Sequence, residues 1–444
     1  MNNTNQITKI PKRILGALLN SCAAGVVPRN GLEYIAIGRN EEVAAILRDL
    51  ENIKEGMGAF RFLIGRYGSG KSFLIGLIRT NALERGYVTS DCDLSPNRRF
   101  VGSSGQGVAV YRELMKNLST KASPDYCALE SIFIKWFSDL QIDAMHKLGA
   151  SAESDLVSKS VQDSMFQMCA TLRSYVNGFE FTRVLSLLYK AHRDGDEELK
   201  NDALRWFRGE FSTKLEARSS RIKAATIVDD GNWYEFIKLF SIFFRLIGYY
   251  GFVVFIDECV NLYKIPNRIS RENNYEKILS MFNDTLQGKA EGLAIILGGT
   301  PQFLEDERRG LYSYDALKSR LKDGSFSNES FKDFNSPVIR INRLTNEEIY
   351  ALVIRINNLH SIYYNWTPRV TDENILRFLQ ICYKRIGADS MLTPREIIRD
   401  FLNILNILYQ NPSVDFDTVI SSSDILINMA QEVEEDDGFF DINL

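Results

Sequence analysis

Cysteine and histidine are scarce in this chain, with six and three among 444 residues. No two cysteines form a C-x-x-C pair, so neither a disulfide framework nor a zinc site is expected, and a reducing cytoplasm is the expected setting. Long apolar runs are missing too. The longest, "FSIFFRLIGYYGFVVFI" (Phe240–Ile256), is interrupted by Arg245 and by a Gly-Tyr-Tyr-Gly turn. It predicts a buried helix followed by a buried strand rather than a membrane span. The opening "MNNTNQITKIPKRIL" has no apolar core of the kind a secretory signal needs. Nor is there a large excess of one charge: 57 acids meet 53 bases, for a net charge of −4. Six of those acids lie in "EVEEDDGFFDINL" (Glu432–Leu444), which holds no base, leaving 51 acids against 53 bases elsewhere. A protein built to coat nucleic acid would carry a far larger basic excess, so charge alone assigns no partner.

What the chain does have is an ordinary globular composition, 45% hydrophobic and 25% charged, and length enough for two or three domains. Within it stands "FLIGRYGSGKSFLIGLI" (Phe62–Ile78). Gly65-Arg66-Tyr67-Gly68-Ser69-Gly70-Lys71-Ser72 fits G-x-x-x-x-G-K-[ST] at every position. A strand-like run precedes it, "SFLIGLIRTNAL" (Ser72–Leu83) follows with helical spacing, and the expected nucleotide-binding residues are Gly65–Ser72 with Phe73. Glycine belongs where a backbone curls around phosphate oxygens, because a Cβ would block the approach and the required dihedrals. The amides then point inward at a helix start, whose positive dipole end favours anions. In this pattern Lys71 reaches the β- and γ-phosphates and the Ser72 hydroxyl holds Mg²⁺. No N-K-x-D guanine motif follows, so the expected ligand is ATP with Mg²⁺.

An NTPase of this kind also needs a carboxylate at the end of a neighbouring parallel strand. "GFVVFIDEC" supplies Asp257 for the Mg²⁺ shell and Glu258 to polarise the attacking water. A binding switch can manage with the first acid, whereas the pair predicts hydrolysis. Asp257 lies 186 residues after Lys71, more than two or three βα units require. "PDYCALESIFIKWFSDLQIDAMHKLG" and "DSMFQMCATLRSYVNGFEFTRVLSLLYKAH" fill the gap with helical periodicity and predict a helical insertion. Inside it, Ala203–Ala225 carries Arg205, Arg208, Lys214, Arg218, Arg221 and Lys223, either as a solvated amphipathic helix or as a basic surface for nucleic acid or an acidic partner.

Four further stretches resemble the motif order of AAA+ ATPases. "IAIGRNEEVAAIL" resembles the Gly-Arg entry motif of origin-recognition and related AAA+ proteins, which implies an adenine-side role for Gly38 and Arg39. "GLAIILGGTPQFLED" ends a strand at Thr300, which the resemblance makes the γ-phosphate sensor. "YDALKSRLKD" offers Arg320 as the finger toward a neighbouring subunit, with Arg308 and Arg309 as competitors. "LTPREIIRDFLNIL" offers Arg395 as the sensor from a lid domain, after Pro394 at a helix-entry position. More narrowly, "ALRWFRGE", "FIDECVNLYK", "GGTPQFLEDERRGLYSYDALKSRL" and "LTPREIIRDFLNIL" resemble the ATP-binding proteins of BREX-type phage-exclusion loci. That resemblance implies an AAA+ core and partners among the other proteins of a defence locus.

The expected fold is therefore α/β: a P-loop AAA+ parallel sheet sandwiched by helices, with a large helical insertion and a C-terminal helical lid. The boundaries read as an N-terminal segment and first core part over 1–118, the insertion over 119–235, the second core part over 236–342, the lid over 343–431 and an acidic tail over 432–444. Four lid helices, the last near Ser422–Val433, leave no room for a winged-helix domain. The expected activity is an ATPase that self-associates in ATP and drives changes in a defence complex, with DNA as a candidate target and no membrane. The alternatives are a non-hydrolysing scaffold and a phosphoryl-transfer enzyme for a small molecule. The tail, with Phe439, Phe440 and Leu444 among acids, is either solvated or a docking peptide.

Overall fold

Strands buried on both faces read as unbroken apolar runs, as Phe252–Ile256 and Leu293–Gly299 do within a five-stranded sheet. The computed structural model describes residues 10–102, 105–322, 333–384 and 393–421. Its strands are β1 (Ala59–Gly65), β2 (Val88–Asp93), β3 (Phe252–Asp257), β4 (Leu293–Gly299) and β5 (Val338–Ile341). They make a parallel sheet in the order β2-β3-β4-β1-β5. The acid-bearing β3 is thus not the immediate neighbour of β1, as the sequence predicts; β4 lies between them. Apart from Arg61 in β1 and the terminal Asp257 of β3, all three strands are apolar, so periodicity carries no information about their order.

Parallel strands need crossovers, and helices supply them. Before the sheet and on its first crossovers come α1 (Lys12–Ala23), α2 (Asn40–Lys54), α3 (Lys71–Glu84) and α4 (Gln106–Lys116). Between β2 and β3 also run α5 (Leu129–Leu148), α6 (Asp155–Met168), α7 (Gly178–Asp194), α8 (Glu197–Phe207), α9 (Lys214–Ser219) and α10 (Trp233–Leu246). Then follow α11 (Val260–Tyr263), α12 (Arg268–Leu286), α13 (Pro301–Glu305) and α14 (Asp315–Leu321). After β5 come α15 (Asn346–Tyr364), α16 (Asp372–Lys384), α17 (Pro394–Gln410) and α18 (Phe416–Ser421). Among the described residues no helix is long and apolar enough to cross a membrane.

The chain divides into two compact units. One holds Glu41–Ile64 and Ile78–Arg340, and so the sheet and the inserted helices. These share one core, continuous through aromatic rings. Phe252 of β3 meets Phe244 of α10 edge-on at 5.2 Å, and Phe243 of α10 lies 5.6 Å from Phe133 and 5.7 Å from Phe181. Each such pair contributes about 0.5–1.5 kcal/mol beyond area burial. The insertion therefore rests on the sheet rather than standing apart. Its basic stretch is not one helix: α8 stops at Phe207, Gly209 takes a φ of +69°, and α9 begins only at Lys214. A glycine with left-handed backbone just past a helix is a common stop. Arg205 pairs with Glu216 at 2.7 Å, and Arg221 pairs with Asp196 at 2.7 Å.

The other unit holds Met1–Asn40, Gly65–Leu77 and Ile341–Leu444. Its core joins Leu15, Leu18 and Leu19 of α1 to Val353 and Ile356 of α15, Phe378 of α16 and Phe401 of α17. The N-terminal helix thus packs with the C-terminal helices, although its sequence position groups it with the sheet. Two T-x-x-E segments start helices of this unit. Thr345 with Glu348 opens α15, and Thr393 with Glu396 opens α17, each as a complete capping box. The expected last helix and the acidic tail lie outside the described residues. One consequence of the shared aromatic core can be measured. Phe181→Ala is expected to lower the unfolding free energy by about 3–5 kcal/mol, read by urea titration, with sheet and insertion still unfolding in one transition.

Candidate functional site

In the helix-rich unit the chain leaves β1 at Gly65 and enters α3 at Lys71. Gly68 and Gly70 have φ of +74° and +91°, where L side chains rarely go. Space is closed as well. A Cβ on Gly65 would collide with the Ser69 hydroxyl, and one on Gly68 would collide with the Thr393 methyl. The loop is thus tightly curled and lies against the start of α17. Lys71 Nζ donates to the carbonyls of Gly65 at 2.9 Å and Arg66 at 3.1 Å, which holds the ammonium over the loop. Ser69 is 2% exposed, and its hydroxyl has no hydrogen-bond partner. Arg66, Tyr67 and Ser72 are exposed, while Phe73 packs partly buried against the helical core.

The other predicted residues of this unit sit close by. Arg39 donates to the Ser69 carbonyl at 2.8 Å, and Gly38 precedes it with a φ of +70°. Arg395 is exposed in the first turn of α17, two residues after Thr393. Gly38, Arg39, the Gly65–Phe73 segment and the start of α17 are therefore brought together.

In the sheet unit, Asp257 ends β3 directly opposite Asp93 of β2. On the other side, Ile256 pairs with Leu297, which puts Asp257 level with Gly298 of β4. A Cβ on Gly298 would collide with Asp257 Oδ1, so the carboxylate leans over bare backbone of β4. Glu258 has a φ of +58°, uncommon for a residue other than glycine. Its backbone is pinned on both sides. The N–H donates to Asp257 Oδ1 at 2.8 Å, and the carbonyl accepts from Asn261 N at 2.9 Å and Nδ2 at 3.1 Å. The carboxylate of Glu258 itself is exposed. Among the described residues no group of three or more His, Cys, Asp or Glu is arranged to hold a metal alone.

Thr300 follows β4 and caps α13, its Oγ1 accepting from Phe303 N at 3.3 Å. Arg320 is exposed on α14 and donates to the Ala316 carbonyl of its own helix at 2.7 Å. Arg308 is exposed too, whereas Arg309 donates to the carbonyls of Tyr263 and Ile265, each at 3.2 Å. Arg309 is thereby a clamp on the segment after the acidic pair.

Both halves lie within one matched region. A profile of the BREX system ATP-binding protein BrxC/D family covers residues 10–424. The chain belongs to this family. Membership in the BREX family makes it an ATP-binding protein of phage defence, and the G-x-x-x-x-G-K-[ST] stretch Gly65–Ser72 lies within the matched residues. A search of curated proteins finds no match.

Three neighbours of the site escape sequence reasoning: Asp93, Asn261 and Thr393. Asp93 and Thr393 had visible signals: "VTSDCD", like "FVVFID", ends a strand in an aspartate, and "TPRE" is a T-x-x-E capping pattern. Partial burial, then the charges of Asp257 and Glu258, push the Asp93 carboxyl above its ordinary value. A raised carboxyl in the folded state means that ionised Asp93 opposes folding, and this penalty fades as pH falls and a proton binds. Asp93→Asn is therefore expected to raise the melting temperature near neutral pH, with the gain shrinking in acid. A gain independent of pH would contradict the repulsion.

Proposed function

We propose that this BREX protein is an AAA+ ATPase that hydrolyses Mg-ATP and uses the cycle to drive conformational or assembly changes in an anti-phage complex. The observation that carries this reading is Glu258: a non-glycine residue with left-handed backbone, pinned by Asp257 and Asn261, presenting a free-standing carboxylate at the strand end. Strained backbone persists where the surroundings over-determine it, and it concentrates at functional sites.

In this reading the curled loop and Lys71 bind the β- and γ-phosphates. The Ser72 hydroxyl and the Asp257 carboxylate are hard oxygen donors of the type Mg²⁺ prefers. Bound there, Mg²⁺ would neutralise phosphate charge. Glu258 orients and deprotonates the water, and the Thr300 hydroxyl, whose proton its cap does not use, reports on the γ-phosphate. Arg395 acts from the C-terminal helices as a lid. Exposed Arg320 serves a neighbouring copy, with Arg308 as the second candidate, so activity requires a homo-oligomer in ATP. Arg309 is supported as a clamp instead, since its donors lie on backbone carbonyls. DNA has weaker support as the load, because Arg205 and Arg221 of the basic stretch are paired with acids.

Glu258→Gln tests the reading. ATP affinity should stay within about 3-fold of the parent, while turnover falls by about 10²–10⁴-fold, the usual contribution of a positioned general base. Unchanged turnover would show that the protein runs without this base, and unchanged low turnover in both proteins would favour a non-hydrolysing switch.

A further inference from the structure

A phosphate loop has a second side. Amides that converge on an anion leave carbonyls facing outward, and buried carbonyls need donors. Ser69 is nearly inaccessible, and its carbonyl accepts from Arg39 Nη2 at 2.8 Å. The same nitrogen donates to the Asn342 carbonyl at 2.7 Å, just past β5. Arg39 is itself only 6% exposed. Its Nη2 lies 3.8 Å from where a Cβ on Gly70 would stand, so the guanidinium backs the last glycine of the loop.

The approach of Arg39 is set by its neighbour. Gly38 has left-handed backbone, and the Glu348 carboxylate occupies the place a Cβ would take. Glu348 is fixed in turn by the α15 capping box, where it accepts from Thr345 N at 2.8 Å. The Gly38-Arg39 pair thereby links three segments of one unit: the phosphate loop, the stretch after β5, and the first turn of α15.

We propose that Arg39 is a positioning residue, which holds the phosphate loop curled from its carbonyl side and couples it to the C-terminal helices. It does not read the base, because these donors are turned onto backbone carbonyls. Arginine suits the task better than lysine: the two N–H groups of its Nη2 are fixed in the guanidinium plane toward the two carbonyls, and its charge is permanent. That buried positive charge also stands behind amides that face a polyanion, which strengthens the attraction. The proposal rests on the ATP-binding reading of the loop.

The test uses the full chain and titrates Mg-ATP, Mg-ADP and Mg-GTP. Arg39→Met should weaken ATP and ADP by about 10- to 100-fold, the size of a lost charge-assisted hydrogen bond. The ratio of ATP to GTP affinity should not change, and saturated turnover should fall less than affinity. Arg39→Lys, which keeps the charge and loses the fixed planar donors, should be intermediate, and it replaces Arg39→Met if that variant fails to fold. Guanidinium ion, well below denaturing concentration, should restore part of the affinity of Arg39→Ala. Parental affinity in Arg39→Lys or Arg39→Met would overturn the proposal, as would loss confined to the adenine preference. A parent chain that binds no ATP would instead overturn the reading of the loop itself.

Discussion

The curl of the Gly65–Ser72 loop is the constraint on which the rest of the site depends. Positive φ at Gly68 and Gly70 makes the turn sharp, and the lack of side-chain space at Gly65 and Gly68 makes it tight. Curling a backbone this way costs conformational entropy and leaves polar groups to satisfy. The surroundings meet both demands. Lys71 crosses the loop to the Gly65 and Arg66 carbonyls, Arg39 holds the Ser69 carbonyl, and the Thr393 methyl closes the space beside Gly68. The loop is therefore supported by helices from both ends of the chain, and a shift in those helices has a direct mechanical route to it.

The sheet unit solves a different problem, which is to hold acids together. Asp93, Asp257 and Glu258 end adjacent strands, and like charges at that distance repel. The strands behind them, nearly all buried, fix their positions, and a bare glycine at Gly298 gives Asp257 room to lean across β4. Such concentrated negative charge invites a divalent cation while lacking the ligands to hold one alone. The long insertion serves this edge from behind, since its aromatic rings join the core that carries β3.

Much of this was legible in the sequence for definite reasons. A tightly curled glycine loop announces itself because few residue types can make it, and "FVVFID" announces a buried strand because both faces must be apolar. The T-x-x-E pairs at Thr345 and Thr393 are local signals too, which the motif reading passed over. What could not be read is long-range pairing. Apolar stripes on α1 and α17 look alike, so the sequence does not say that they share a core, and equal apolarity hid β4 between β1 and β3. The direction of the Arg39 guanidinium was also beyond local pattern, because the Gly-Arg motif does not say what the donors face. Gly209, by contrast, marks the break in the basic stretch as plainly as any helix stop, and periodicity alone overlooked it.

Phosphate release by the purified full chain in Mg-ATP, measured beside its Lys71→Ala variant, bears most directly on the idea that this loop fuels a hydrolysing machine. Lys71 is the side chain that the curled loop already holds over its own carbonyls. The predicted result is release that requires Mg²⁺ and is lost in Lys71→Ala. Release that survives the substitution, or a parent that binds ATP and never releases phosphate at any protein concentration, would contradict it.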